Sequence, residues 1–441
     1  MLTRSQAQQL TERVLKFSSF PESTVSAGEN EEAFIRFANN GVTTSGFTVE
    51  RTVTISVTRD GKTGVTQTTD LTDESLRAAM KRAEAIAVIA PPNPESVDDL
   101  GPQKYADFEN RDERTASARS PQMASHVKSI IDAAVKRKLV SAGFFNRSAS
   151  TDAFGNKKGN FGYQQRADSR LTTTVRRPDG SSSGWAGQPS VRIEDIDGAA
   201  LGERAIEKCL RWNKPLKLDP GRYTVVLEPT AVGDLVQLMS FSLAARSAEE
   251  GRSVFSKKGG GTLAGEKMFP EFINLRSDPF DKRLPSSLWS AGGIPNRRMD
   301  WIEKGVLKNL SYDRYWAAKT GKAPTPFPSG LILEGGDASL ADLVKATKRG
   351  LLVTRFWYIR SVNPQTLQFT GLTRDGLFLI EDGEVTRPVM NFRFNESPVR
   401  LLQNTQRQGR VERVRGAEGQ GMIAPCLQAS DFHFSSISDA V

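Results

Sequence analysis

Two histidines, His126 and His433, are the whole imidazole inventory of 441 residues, and that scarcity removes much of the chemistry open to the chain. Common zinc-hydrolase sites need two or three imidazoles converging on one ion, and Ser-His or Cys-His catalysis needs an imidazole beside its nucleophile. Neither histidine has ligand spacing. His126 falls at the margin of an apolar helical face, Met123, Val127, Ile130 and Ala134, in a helix expected over 121–138. His433 sits in the alternating run Asp431-Phe432-His433-Phe434, which reads as a strand. Both read as ordinary surface or strand-edge side chains. Cys209, on a predicted helix, and Cys426, near the last strand, read as structural thiols with no disulfide framework.

Other chemical signals are weak. Gly259-Gly260-Gly261 lacks the Gly-Lys-Ser/Thr of a phosphate loop and reads as a mobile loop. A net charge of +9 raises nucleic acid or acidic partners, but the basic residues are scattered. The densest group, Arg407, Arg410, Arg413 and Arg415, includes Glu412 and has no interleaved aromatics to stack on bases, so it reads as a solvated basic face.

The elements that must position any site follow from periodicity. An amphipathic helix over 5–17 leads into half-buried strands at 32–39 and 51–59. Asp60-Gly61 turns the chain into a strand at 63–69, and Thr72 with Asp73 and Glu74 starts a helix reaching about residue 87. Pro91-Pro92-Asn93-Pro94 then breaks the pattern. It returns with a strand at 171–176, a turn at Asp179-Gly180 and a helix over 195–210, the second copy differing by an insertion at 181–185. This internal repeat predicts helices packed on one side of a shared antiparallel sheet, an α+β domain over 1–215. Beyond Pro215 come a strand at 223–227, a helix over 230–245 with Val232, Leu235, Met239 and Leu243 on one face, and a helix over 340–347. Short strands from 331 onward, with turns at Asp375-Gly376 and Asp382-Gly383, predict a barrel-like or strongly curved mixed β domain. The expected division is 1–90, 91–215 and 216–441. With 38% hydrophobic residues there is ample material for buried cores. No apolar run approaches the roughly 18 residues of a membrane span. The start has no signal-peptide core, and a cytoplasmic location is expected.

Several separate motifs keep one order along the chain: Arg36-Phe37-Ala38-Asn39-Asn40, Pro220-Gly221-Arg222-Tyr223-Thr224-Val225-Val226-Leu227, Gly251-Arg252-Ser253-Val254-Phe255, Glu303-Lys304-Gly305-Val306-Leu307-Lys308, Tyr312-Asp313-Arg314, then Arg349 to Phe356, Val362-Asn363-Pro364, Phe369-Thr370-Gly371, Ile380-Glu381-Asp382-Gly383-Glu384 and Pro388-Val389. Together they resemble the TldD/PmbA family over nearly the whole length. The resemblance implies one of two kinds of subunit. One looks like a zinc metallopeptidase, with HExxxH on the helix after the strand at 223–227 and a cysteine ligand near the C-terminus. The other, the PmbA or TldE kind, lacks these residues and forms a heterodimer with the first.

Setting Val225-Val226-Leu227 in register places Gln237 and Ser242 at the ligand histidines, Leu238 at the catalytic glutamate and, reading back from Gly416 and Gly419-Gln420, Arg415 at the cysteine. A neutral amide, a weak hydroxyl, an aliphatic side chain and a cation cannot hold a zinc-bound water. The resemblance therefore implies a subunit with no catalytic residue, metal or cofactor of its own. It would complete a cavity for extended or unfolded peptide beside an HExxxH-bearing TldD-like paralogue, or as a homodimer. Tyr312, Arg314, Arg355 and Asn363 are candidate cavity contacts. The alternatives are a family metallopeptidase active by itself through other ligands, and a gyrase modulator that contacts nucleic acid.

Overall fold

The computed structural model describes residues 1–416 and 421–439. Its first half is built twice on one plan. Helix α1 (Arg4–Leu15) precedes strands β1 (Glu22–Ala38), β2 (Gly41–Arg59) and β3 (Lys62–Thr68) and helix α2 (Asp73–Ile89). After a connector with a short helix α3 (Glu113–Ser117) come α4 (Ser120–Lys136), β4 (Val140–Asn156), β5 (Phe161–Arg176), β6 (Ser183–Ser190) and α5 (Gly198–Arg211). The six strands make one antiparallel sheet ordered β3-β2-β1-β4-β5-β6, so the two copies meet at their first strands.

Alternation puts one set of side chains of each strand on a common face. There Val25, Val53, Ile55 and Val57 pack under Leu76, Met80 and Ala83 of α2, while Ile35, Phe145, Leu171 and Val175 pack under Val127, Ile130, Leu201 and Ala205 of α4 and α5. The expected one-sided helical layer is present. Each copy brings its closing helix onto a glycine in its third strand. A Cβ at Gly64 would lie 1.9 Å from the carbonyl of Ala83, and one at Gly184 would lie 2.1 Å from that of Ala205.

Two features differ from expectation. The strands expected at 32–39 and 51–59 are the turn-side end of one strand and the far end of the other in a long hairpin turned by Asn39 and Asn40, both at positive φ. The turn-side arm of β2, residues 42–45 and 47–50, is exposed on both faces, so it carries no period-two signal. In the second copy Ser183, Gly184 and Trp185 of the insertion begin β6 rather than extend the turn.

The second half holds a 13-stranded mixed sheet and a separate two-stranded ribbon over residues 289–295. Its elements begin with β7 (Gly221–Leu227), α6 (Pro229–Val236), α7 (Ala245–Glu249), β8 (Leu275–Ser277), β9 (Trp289–Ser290), β10 (Ile294–Pro295), β11 (Met299–Glu303), β12 (Val306–Leu307) and α8 (Arg314–Thr320). There follow β13 (Leu331–Leu333), α9 (Leu340–Lys345), β14 (Arg349–Val353), β15 (Phe356–Asn363), β16 (Gln368–Thr373), β17 (Leu377–Glu381) and β18 (Glu384–Pro388). The chain closes with β19 (Phe392–Glu396), α10 (Pro398–Gln403), β20 (Thr405–Val414) and β21 (Met422–Ile437). β21 is the spine of the sheet, pairing with β7, β13, β19 and β20. Among the described residues the sheet stays open rather than closing as a barrel. Asp382-Gly383 turns β17 into β18, whereas Asp375-Gly376 joins β16 to β17, which do not pair. Gly259-Gly260-Gly261 is a loop with all three φ angles positive.

The two halves lock together through the uncovered face of the first sheet. Arg413 forms a bidentate pair with Asp168 at 2.7 Å, Gln164 accepts from the amide of Leu288 at 2.8 Å, and Phe154 packs on Trp289.

Candidate functional site

The site begins where β7, paired between β14 and β21, delivers the chain into α6. Pro229 at the helix start suits a position that needs no amide hydrogen, and every residue of α6 except Thr230 is buried. The buried set includes Asp234, whose Oδ2 accepts from the amide of Phe356 at 3.0 Å. The carboxylate thus ties α6 to the start of β15. The helix expected over 230–245 stops at Val236. A 3-10 turn, Gln237–Phe241, replaces its second half and α7 starts afresh at Ala245. Serines at 240 and 242, poor interior helix formers, flank the exposed Phe241 at this break.

The break opens a cleft of about 660 Å³ beside the turn. Leu238, Phe241 and Ser242 form one wall, while Asn363, Leu367 and Phe369 of the β15–β16 hairpin form another. Phe241 is 73% exposed and lies 5.7 Å from Phe327, which is also exposed. The cleft offers an apolar wall with hydroxyl and amide groups on its rim.

Arg415 and Gly416 approach α6 from the end of β20. A Cβ on Gly416 would fall 1.6 Å from Oδ1 of Asp234, so any larger residue here must displace that buried carboxylate. Gly419-Gln420, the other half of that motif, lies outside the described residues. Arg170 of β5 donates through Nη2 to the carbonyls of Arg415 and Gly416, at 2.9 and 3.1 Å. Burial, with the positive charges of Arg415 and Arg355, pushes the Arg170 guanidinium down to about 10.

These residues do not fit a dication. Gln237 brings an amide, Ser242 a hydroxyl, Leu238 nothing that coordinates, and Arg415 a positive charge. Among the described residues no three His, Cys, Asp or Glu side chains are grouped as ligands. Both histidines have structural contacts. His126 Nδ1 accepts from the amide of Gly198 at 3.4 Å, and the amide of His433 donates to Glu396 at 3.0 Å. Cys209 and Cys426 are buried and unbridged.

Of the four expected cavity contacts, only Asn363 lines the cleft. Arg355 is buried, reaches Asp375 at 3.4 Å and lies over the Trp185 ring. Tyr312 donates to Glu249 at 2.6 Å beneath Lys322, and Arg314 donates to the carbonyl of Asp98. The last three serve packing within the second half or between the halves. The expected basic face is present at Arg407, Arg410 and Arg415, which are exposed. Arg413 is consumed by Asp168, and Arg410 donates to the carbonyl of Asp337. Asp234, Arg170 and Phe241 were not anticipated. A single charged residue in the otherwise apolar stretch 229–236 was the available signal for Asp234.

Comparison with known proteins agrees with this architecture. Residues 220–436 match the family model described as the PmbA/TldA metallopeptidase C-terminal domain, and residues 24–87 match PmbA/TldA metallopeptidase domain 1. A metalloprotease of Methanothermobacter thermautotrophicus is 24% identical over 323 residues, covering 64% of this chain and 68% of its own. The crystal structure of a candidate modulator of DNA gyrase from Bacteroides thetaiotaomicron superimposes with a TM-score of 0.85 at 21% identity, over 99% of this chain and 100% of that one. TldE from Thermococcus kodakarensis gives 0.82 at 21% identity, over 97% and 99%. Two matched domains in the expected order and a shared fold over the full length place the chain in the PmbA/TldD metallopeptidase family.

Proposed function

We propose that this chain is a non-catalytic, TldE-like subunit of a cytoplasmic metalloprotease complex. An HExxxH-bearing paralogue would supply the zinc and the general base, and this chain would complete the cavity that takes unfolded or extended peptide. The observation that carries the reading is the side-chain set at the break after α6. Leu238 and Ser242 line the cleft, Gln237 precedes them in the same turn, and the positively charged Arg415 directly precedes Gly416, which packs on Asp234. A zinc-activated water needs anionic or imidazole ligands and an adjacent base, and this set provides neither. An open cleft with an apolar wall and polar rim suits a peptide held mainly through its main chain. No helix among the described residues is long and apolar enough to cross a membrane, in keeping with the location proposed.

The test has two parts. The purified, tag-free chain should hold no stoichiometric zinc and should not hydrolyse unfolded peptide, whereas mixing it with the HExxxH paralogue should give hydrolysis that the partner's glutamate controls. One tightly held zinc per chain, or chelation-resistant hydrolysis by the chain alone, would overturn the reading. The gyrase-modulator description of one structural neighbour favours a second reading, nucleic-acid contact. Binding that resists salt and selects sequence, without peptide binding, would favour it, since contacts to phosphates alone weaken steeply with salt.

A further inference from the structure

A second cavity, of about 470 Å³, reaches the start of α6 at Pro229 and Thr230, sits at the junction of the two halves and shares no lining residue with the first cleft. Its floor is apolar: Trp185 of β6, Leu352 of β14, Phe378 of β17 and Cys426 of β21. Leu352 keeps 8% exposure while its neighbours Leu351 and Val353 keep none, so its side chain is left partly bare on the cavity side of the sheet. The charged part of the lining comes from two elements. Arg204, Glu207 and Arg211 come from α5 and Arg410 and Glu412 from β20, so each element brings both charge signs. Lys208 and Glu228, paired at 2.7 Å and largely buried, bridge the halves within the wall. Arg204, Glu207 and Glu412, by contrast, make no ion pair among the described residues.

An apolar floor with both charge signs free in the lining matches a small zwitterion that carries an apolar side chain. The volume lies within the range of small-molecule sites, and domain junctions are where such sites concentrate. We infer that this cavity binds a short peptide with free termini, its apolar side chain on the Trp185-Leu352-Phe378-Cys426 floor and its charged ends at the charged part of the lining. The inference rests on the peptide-handling reading above and assigns that ligand class a separate site. An ammonium group would meet Glu207 or Glu412, and a carboxylate Arg204 or Arg410.

The probe is alanyl-phenylalanine, titrated calorimetrically into the full chain and compared with the same dipeptide acetylated and amidated at its ends. No catalytic partner is present, so this result stands or falls separately from hydrolysis by the complex. The free dipeptide should bind saturably and about tenfold more tightly than the blocked one, since two exposed ion contacts are lost on blocking. Glu412→Gln and Arg410→Gln, both exposed and expected to fold, should each weaken binding by about twofold to fivefold. Leu352→Trp should fill the floor and abolish binding. Absence of binding heat, equal affinity for the blocked dipeptide, or wild-type affinity in a folded Leu352→Trp chain would each overturn the assignment.

Discussion

Gly64→Ala and Gly184→Ala should be costly in the same way, because the repeat places the same contact twice. At each position the new methyl would meet a helix carbonyl, at 1.9 Å from Ala83 and 2.1 Å from Ala205, and would also crowd the amide of Ala87 or Cys209. These are backbone atoms, so rotamer changes cannot relieve the overlap. To restore ordinary contact the closing helix must withdraw by roughly 1.5 Å, which thins the packing along its whole apolar face. Overpacking of this kind costs about 1–3 kcal/mol, and the shortness of both contacts argues for the top of that range. Urea unfolding followed by circular dichroism would measure it, with Gly101→Ala as the control, since a Cβ there meets nothing within 4 Å. Trimming the helix residue, as in Ala83→Gly, should not rescue Gly64→Ala, because the obstructing carbonyl remains. If both variants unfold at the same urea concentration as Gly101→Ala, the reasoning about helix seating is wrong.

Glu396→Gln should destabilise the second half by about 2 kcal/mol, since both oxygens of this buried carboxylate accept backbone amides, from Ser397 and His433, and an amide NH2 would face one donor with another; the urea midpoint reports it. Burial works against ionisation of Glu249, but donation from Tyr312, Trp316 and Lys322 outweighs it and holds the carboxyl below its ordinary 4.5. Its contribution is therefore complete above that value and is lost as pH falls through the lowered one, so the melting temperature should drop on acidification, and Tyr312→Phe should reduce the acid-dependent part of that drop. Leu238→Glu should create no hydrolysis in the isolated chain, because a base without a metal activates no water, and a peptide-release assay checks this.

Local signals were legible and long-range ones were not. The Asp60-Gly61 hairpin, the helix capped by Thr72 and the second strand-turn-strand-helix copy each follow from residues near one another in sequence, and each is present. The long arm of β2 escaped because both its faces are wet, and the early end of α6 escaped because an apolar stripe through Leu243 continues past the break. At the candidate site, Leu238 and Ser242 could be placed beside each other by proximity in the chain. The approach of Arg170 to Arg415, 245 residues away, depends on the docking of two sheets and leaves no mark in either segment. The contacts of Tyr312, Arg314 and Arg355 were illegible for the same reason: their partners, Glu249, Asp98 and Asp375, give no sign in the sequence of which cation or hydroxyl each will meet.

The spine position of β21 also orders events in time. A ribosome emits this strand after β7, β13, β19 and β20, yet each of those pairs with it. The six-stranded sheet, complete by residue 190, can form while synthesis continues. The larger sheet must instead wait with open strand edges until residues 422–437 clear the exit tunnel. Nascent chains paused before residue 422 should therefore expose unpaired edges and recruit chaperones, and release of β21 should end that exposure.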